Sequence, residues 1–177
     1  MELGLPTIYL SLLVILLGGA SWFIFRQIIR TRAVEKTLSS LRTKLNTGKG
    51  DAQDYYELGS IYLDKKIYSQ AIVQFQQALK AKDLVVGENT ALIYNALGFA
   101  YACQEQYDLA MRQYKEAIKQ KPDYVKALNN LGFAYERKQM VIQALGAYET
   151  ALNYQPDNPT AQKRADSLRK RLVSTER

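Results

Sequence analysis

The chain has 177 residues, 47% of them hydrophobic, and a formal net charge of +7 at pH 7. It contains no histidine and a single cysteine, which excludes histidine-based acid–base or metal chemistry and any disulfide within one chain. The basic residues concentrate in residues 26–50 and 163–177, and the segment between them is slightly acidic. This distribution argues against nucleic-acid binding by the central part of the chain.

The first feature in chain order is an uncharged run from Thr7 to Phe25. At 1.5 Å per residue a helix of this length spans roughly 28 Å, close to the hydrocarbon thickness of a bilayer. The run therefore predicts a transmembrane helix, with residues 1–25 as an N-terminal anchor whose Tyr9 and Trp22 suit the two interfaces. A cleaved signal peptide is the alternative, but Glu2 stands where such a segment would carry basic residues.

Residues 26–50 are expected to form a basic helical arm and linker. Their basic residues follow the apolar run and none precedes it, which by the positive-inside rule places the rest of the chain on the cytoplasmic side. A helical stripe is predicted from apolar residues at intervals of three or four: Val34, Leu38, Leu41 and Leu45. We expect this stripe to pack on the folded body that follows or along the membrane surface, with self-association as the alternative.

Three copies of one motif occupy residues 51–158. Each copy has Leu-Gly followed three residues later by tyrosine, and the glycines are Gly59, Gly98 and Gly132. Pro122 and Pro156 end the second and third copies, while Asp83 replaces the proline in the first. Each glycine is followed after twelve residues by an alanine (Ala71, Ala110, Ala144), and four residues later by an aromatic residue (Phe75, Tyr114, Tyr148).

This pattern resembles the tetratricopeptide repeat. The resemblance implies an all-α fold in which three helical hairpins, at about residues 52–85, 91–123 and 124–158, stack into a right-handed superhelix after the transmembrane helix. Residues 159–177 would form a capping helix and basic tail. Within each hairpin we expect the glycine to face the alanine, so that the two helices approach closely. Five extra residues around 87–89 are expected to loop out between the first two copies.

In the resembling family the first helix of each repeat lines a concave groove that binds protein segments. Asn95 and Asn129 share one register and are expected to hydrogen-bond an extended peptide backbone. Phe99 and Phe133 share another and are expected to offer apolar contact, unless they tuck into the hairpin packing. Mapped onto this sequence, the groove residues are Tyr56, Ser60, Leu63, Leu92, Asn95, Phe99, Cys103, Lys126, Asn129, Phe133, Arg137 and Lys163.

Some members of that family clamp a C-terminal carboxylate with basic and asparagine side chains. The first three clamp positions here hold Tyr56, Ser60 and Ala96, and of the later ones Lys126 fits and Asn130 fits in part. The clamp is therefore incomplete. Cys103 lies beside the groove without any histidine to activate it, so no catalytic role is expected for it, and the sequence predicts neither an enzyme nor a cofactor or metal site.

The layout of anchor, basic arm and three repeats resembles the membrane-anchored tetratricopeptide proteins that assist photosystem I assembly in cyanobacteria and algal plastids. This resemblance implies a scaffold at the thylakoid membrane, with residues 7–25 in the lipid and the repeats on the cytoplasmic or stromal side. Its partners would be photosystem I subunits or assembly intermediates, and no nucleic acid. The alternatives are a membrane-bound adaptor for another complex, such as envelope or secretion machinery, and a lipid- or pigment-handling protein.

Overall fold

The structure is a computed structural model that describes residues 4–85 and 87–175. Within these ranges all regular structure is helical, which confirms the predicted all-α fold. By contacts the chain divides into two units, Met1–Thr43 and Lys44–Arg177. The eight helices described are α1 (Gly4–Asn46), α2 (Ala52–Asp64), α3 (Tyr68–Lys80), α4 (Glu88–Cys103), α5 (Tyr107–Gln120), α6 (Val125–Arg137), α7 (Val141–Tyr154) and α8 (Pro159–Thr175).

In the first unit the structure describes α1 up to Thr43, and along this helix the apolar run and the basic arm are continuous. From Thr7 onward this helix is long and apolar enough to cross a membrane, with a mean hydropathy of 2.2 over its most apolar window and none of that window buried. The predicted stripe of the arm is confirmed as helical. Leu38 and Leu41 in it are buried, whereas Lys36 and Arg42 are exposed.

The second unit stacks three helical hairpins and a final helix. The hairpins are α2 with α3, α4 with α5, and α6 with α7; each packs on the next, and α8 packs on α7. The first helices of neighbouring hairpins also touch, since α4 contacts both α2 and α6. The surface formed by these first helices is where the groove residues were predicted.

The repeat glycines make room for aromatic rings, a contact that the predicted glycine–alanine crossing did not include. A Cβ added to Gly98 would lie 2.7 Å from the Tyr114 ring, and the nearest atom of Ala110 is its carbonyl oxygen, at 3.2 Å. The alanines are fully buried, and Ala110 contributes its backbone to the crossing at Gly98. The same ring packing occurs at Gly59 against Phe75 and at Gly132 against Tyr148.

The insertion between the first two repeats does not simply loop out. Helix α4 begins at Glu88 and has 16 residues, whereas α2 and α6 have 13 each. Glu88 and Asn89, which were expected in a loop, form the first turn of α4 instead, and the connection ends at Gly87 with a φ of 124°. Glycine tolerates this backbone conformation because it has no Cβ.

The N-terminus of α2 is held by carboxylates. Asp51 and Asp54 form a capping box in which each side chain accepts a hydrogen bond from the other residue's amide, at 2.8 and 2.9 Å. The Lys44 ammonium lies 2.5 Å from Oδ2 of Asp54. Burial disfavours ionisation of Asp54, but this ammonium and the Asp51 amide outweigh burial and hold the pKa of the carboxyl below its usual range. Asp83, in place of the closing proline, accepts the amide hydrogen of Ala52 at 3.0 Å.

Helix α8 ends the array with a polar face. Its apolar side packs inward through Ala161, Ala165 and Leu168, all of them buried. On the other side, Asp166 and Arg169 occupy the positions that glycine and tyrosine hold in the repeats, and they bond each other at 3.1 Å. A face of this kind cannot receive another apolar helix, which is the property that the terminal element of a repeat array needs.

Candidate protein-binding groove

The predicted groove residues lie in matching registers on α2, α4, α6 and α8. The register is offset by 39 residues between the first two repeats and by 34 residues thereafter. Three rows of side chains run across these helices. The rim row is Gln53, Leu92, Lys126 and Thr160; the asparagine row is Tyr56, Asn95, Asn129 and Lys163; and the phenylalanine row is Ser60, Phe99, Phe133 and Ser167.

Asn95 in the asparagine row was expected to hydrogen-bond the backbone of a bound peptide, and the burial of its side chain contradicts that expectation. Asn95 is only 5% exposed. Its Oδ1 accepts a hydrogen bond from Nδ2 of Asn130 at 2.9 Å, and its amide also bonds the Tyr124 hydroxyl. The side chain therefore ties α4 to α6, because a buried amide must find its partners within the protein. Asn130, which fits the carboxylate clamp only in part, is occupied by the same contact.

Asn129 is half-buried and only partly satisfied. Its Nδ2 donates to Oδ1 of Asn158 at 3.2 Å, while its own Oδ1 is buried and has no hydrogen-bond partner. The residue that corresponds to Asn130 one repeat further on is Arg164, whose guanidinium turns instead to Glu136, at 3.5 Å. The end of the array thus leaves one amide acceptor unmatched, in contrast to the satisfied Asn95.

The phenylalanine row is open to solvent. Phe99 and Phe133 are 45% and 40% exposed, and Leu92 in the adjacent rim row is 37% exposed. The two rings are therefore not tucked into the hairpins. Their role in binding stays a prediction, but the apolar surface on which that prediction depends is present.

A cleft of about 120 Å³ opens between α2 and α4 at one end of these rows. Among its walls are Tyr56 and Leu92, which were predicted as groove residues, and Leu84, Val85 and Asn89, which were not. The apolar run 84–86 in the sequence of the connection was the available signal for Leu84 and Val85. Pockets for small molecules usually measure about 300–1,000 Å³, so this cleft has the size of a side chain and not of a lipid or pigment.

Basic side chains mark the other end of the groove. Lys126, Arg137 and Lys163 are exposed there. The carboxylate of Glu136 among them is occupied, since it accepts the Tyr148 hydroxyl at 2.7 Å and pairs with Arg164. Burial raises the pKa of the Tyr148 hydroxyl, and the hydrogen bond to this carboxylate raises it further. The hydroxyl therefore stays a neutral donor.

The remaining predicted groove residues are half-buried. Cys103 is half-buried, and burial raises the pKa of its thiol although a hydrogen bond with Tyr68 works in the opposite direction. A thiol with a raised pKa is a poor nucleophile at neutral pH. Tyr56, Ser60 and Leu63 on α2 are all partly buried.

Comparisons with known proteins identify the repeats. Tetratricopeptide repeat models match residues 53–83 and 125–158, and a further TPR repeat model matches residues 100–139. The ycf37 protein of Guillardia theta is 40% identical over 84 residues, which are 48% of this chain and 47% of that protein. The chloroplastic tetratricopeptide repeat domain-containing protein PYG7 of Arabidopsis thaliana is 36% identical over 82 residues, which are 46% of this chain and 27% of that protein.

Among solved structures, the first TPR domain of Spaghetti (RPAP3), bound to an HSP90 peptide, superposes with a TM-score of 0.64 at 21% identity. The match covers 70% of this chain and 94% of that one, and at this identity it shows the fold alone. The chain spans about half or less of the length of the ycf37 and PYG7 relatives. With three matched repeats and the corresponding fold, the chain belongs to the tetratricopeptide repeat family, whose members are protein-interaction scaffolds and not typically enzymes.

Proposed function

We propose that this chain is a membrane-anchored scaffold that captures an extended segment of another protein and assists photosystem I assembly or stability at the thylakoid membrane. The observation that carries the capture of a protein segment is the matched exposure of Phe99 and Phe133 on neighbouring helices. Complete burial of a phenylalanine side chain contributes about 1.5–3 kcal/mol, so covering what is still exposed contributes about 1 kcal/mol for each ring. Since α4 and α6 touch, one extended segment can cover both rings.

The anchor supplies the second part of the proposal. Residues 7–25 lie in the lipid, and the basic residues after them keep the repeats on the cytoplasmic or stromal side. A scaffold confined to the same membrane as its partner meets that partner at a raised effective concentration. Contacts as modest as two partly exposed rings then suffice for capture.

The choice of photosystem I as the partner rests on similarity to other proteins. The layout resembles the membrane-anchored tetratricopeptide proteins that assist photosystem I assembly, and PYG7, one of the relatives, is named as chloroplastic. A protein segment as ligand is supported by the peptide bound to the RPAP3 domain, which shares the fold. An adaptor for another membrane complex is the competing proposal, with the same groove and a different client.

The test is complementation of a strain that lacks the protein. Phe99→Ser combined with Phe133→Ser should fail to restore photosystem I, measured by P700 absorbance, while photosystem II fluorescence stays normal. Ile142→Ser is the matched control, because Ile142 is an exposed apolar residue on α7, outside the groove helices, and it should restore both photosystems. Normal photosystem I in the deletion strain, or equal loss of both photosystems, would refute this client and leave the adaptor proposal.

A further inference from the structure

We propose that the groove selects segments in which one aliphatic side chain is followed, about three to five residues further along, by acidic residues. This inference rests on the proposed capture of a protein segment and names the chemistry of that segment. The aliphatic side chain would sit in the cleft between α2 and α4, and the acidic residues would face Lys126 and Lys163.

The cleft supports the first half of the motif. Leu84, Val85 and Leu92 give it apolar walls, and its volume of about 120 Å³ fits one side chain. Gln53 and Asn89 are the uncharged polar residues at its edge. Among the described residues that line it, the charged one is Asp83, whose carboxylate already accepts the amide hydrogen of Ala52. An aliphatic side chain therefore enters without burying an unpaired charge.

The cleft exists because of the insertion between the first two repeats. Leu84 and Val85 belong to the connection, and Asn89 lies in the added first turn of α4. Val85 is one of the most exposed large apolar side chains of the repeat region, at 69%. The connection from α5 to α6 is shorter and carries Pro122 and Asp123 instead, so the sequence offers no second copy of this site.

Charge complementarity supports the acidic half of the proposed motif. Lys126 and Lys163 are exposed in the rim and asparagine rows, and Arg137 is exposed on the same helix as Lys126. The nearby carboxylate of Glu136 is compensated by Arg164. The third repeat and α8 therefore present a net positive surface, which favours acidic side chains and opposes basic ones.

The spacing follows from helix packing. Packed helices lie about 8–10 Å apart, and the cleft is separated from Lys126 by the step from α4 to α6. This places the lysine roughly 10–15 Å from the cleft, which an extended chain covers in about three to five residues at 3.3 Å each. Lys163, on the next helix, would meet acidic residues further along the segment.

Selection from random linear peptides displayed on phage tests the inference, with the full chain held in lipid nanodiscs and empty nanodiscs used to remove background. The wild-type chain should enrich Leu, Ile or Val followed at this spacing by Asp or Glu. Val85→Asp should lower the aliphatic enrichment by about tenfold, the scale on which apolar pockets discriminate. Lys126→Glu with Lys163→Glu should replace the acidic preference with a basic one.

Two control variants keep the outcomes distinct. Ile142→Asp and Lys119→Glu make the same chemical changes at exposed residues of α7 and α5, and they should leave the selected motif unchanged. Circular dichroism of every variant shows whether it is folded. Enrichment of an unrelated motif, or a motif that none of the groove variants alters, overturns this inference and leaves capture itself standing. Failure to enrich any peptide overturns both.

Discussion

Replacing Gly132 by alanine should destabilise the repeats, although alanine is the better helix former. The added Cβ would lie 2.7 Å from Cζ of Tyr148 and 2.8 Å from its Cε1. The ring cannot yield easily, because it is fully buried and its hydroxyl donates to Glu136. Overpacking of this kind costs about 1–3 kcal/mol, and the helix propensity of alanine returns about 0.5–1 kcal/mol. We expect a net loss of about 1–2 kcal/mol.

Gly146→Ala is the matched control for this prediction. Gly146 lies within α7, and a Cβ there would meet nothing within 4 Å. The same substitution should therefore stabilise the protein by about 0.5–1 kcal/mol.

The assay is thermal unfolding of the full chain in detergent, followed by circular dichroism at the helical band. At roughly 2–4 °C for each kcal/mol, Gly132→Ala should lower Tm by about 2–8 °C and Gly146→Ala should raise it slightly. Hydrogen exchange should place the loss in α6 and α7, since each repeat contacts only its neighbours. Equal shifts for the two variants would refute the ring-on-glycine packing.

Three further predictions concern the backbone, the acid limit and the buried amides. Gln139 has a φ of 61° at the turn within the third hairpin, a backbone conformation that glycine adopts without strain. Gln139→Gly should therefore raise Tm, and Gln139→Ala should not. Equal effects of the two variants in thermal unfolding would contradict this argument. The depressed pKa of Asp54 contributes stability that is complete above its unfolded value of about 3.9 and is lost as the pH falls through the lower folded value. Asp54→Asn should therefore flatten the acid limb of a Tm-against-pH curve, and a parallel curve would argue against this contribution. Asn95→Ala removes a satisfied buried amide and should cost about 1–3 kcal/mol by urea unfolding, more than Asn129→Ala, whose Oδ1 has no partner to lose.

The hairpins were predictable from sequence because their packing is local and repeated. Each copy contains both helices and the glycine that receives the aromatic ring, so the residues that form this contact occur three times in the sequence. The cap was predictable for a related reason, since Asn158 and Pro159 mark the start of α8 and its Ala and Leu stripe matches the preceding face. The ring as the partner of the glycine was missed because the alanine is also invariant within the three copies.

The groove was less predictable, because its details depend on pairs that differ from repeat to repeat. Asn95 and Asn129 occupy the same register, yet one is buried against Asn130 and the other donates to Asn158 and leaves its Oδ1 without a partner. Nothing in the register distinguishes them until the next repeat is placed. The cleft at Leu84 and Val85 arises from an insertion that occurs once, so no internal comparison indicates what it forms.

The most direct test of the proposed scaffold is site-specific photocrosslinking in intact thylakoid membranes. p-Benzoylphenylalanine would replace Phe99 or Phe133 in the groove, and Ile142 as an exposed control outside it. The scaffold proposal predicts that both groove positions crosslink to one and the same membrane-complex subunit, a photosystem I subunit if that client is right, while the control position does not. Crosslinks of equal yield from all three positions, or none from the groove, would contradict it.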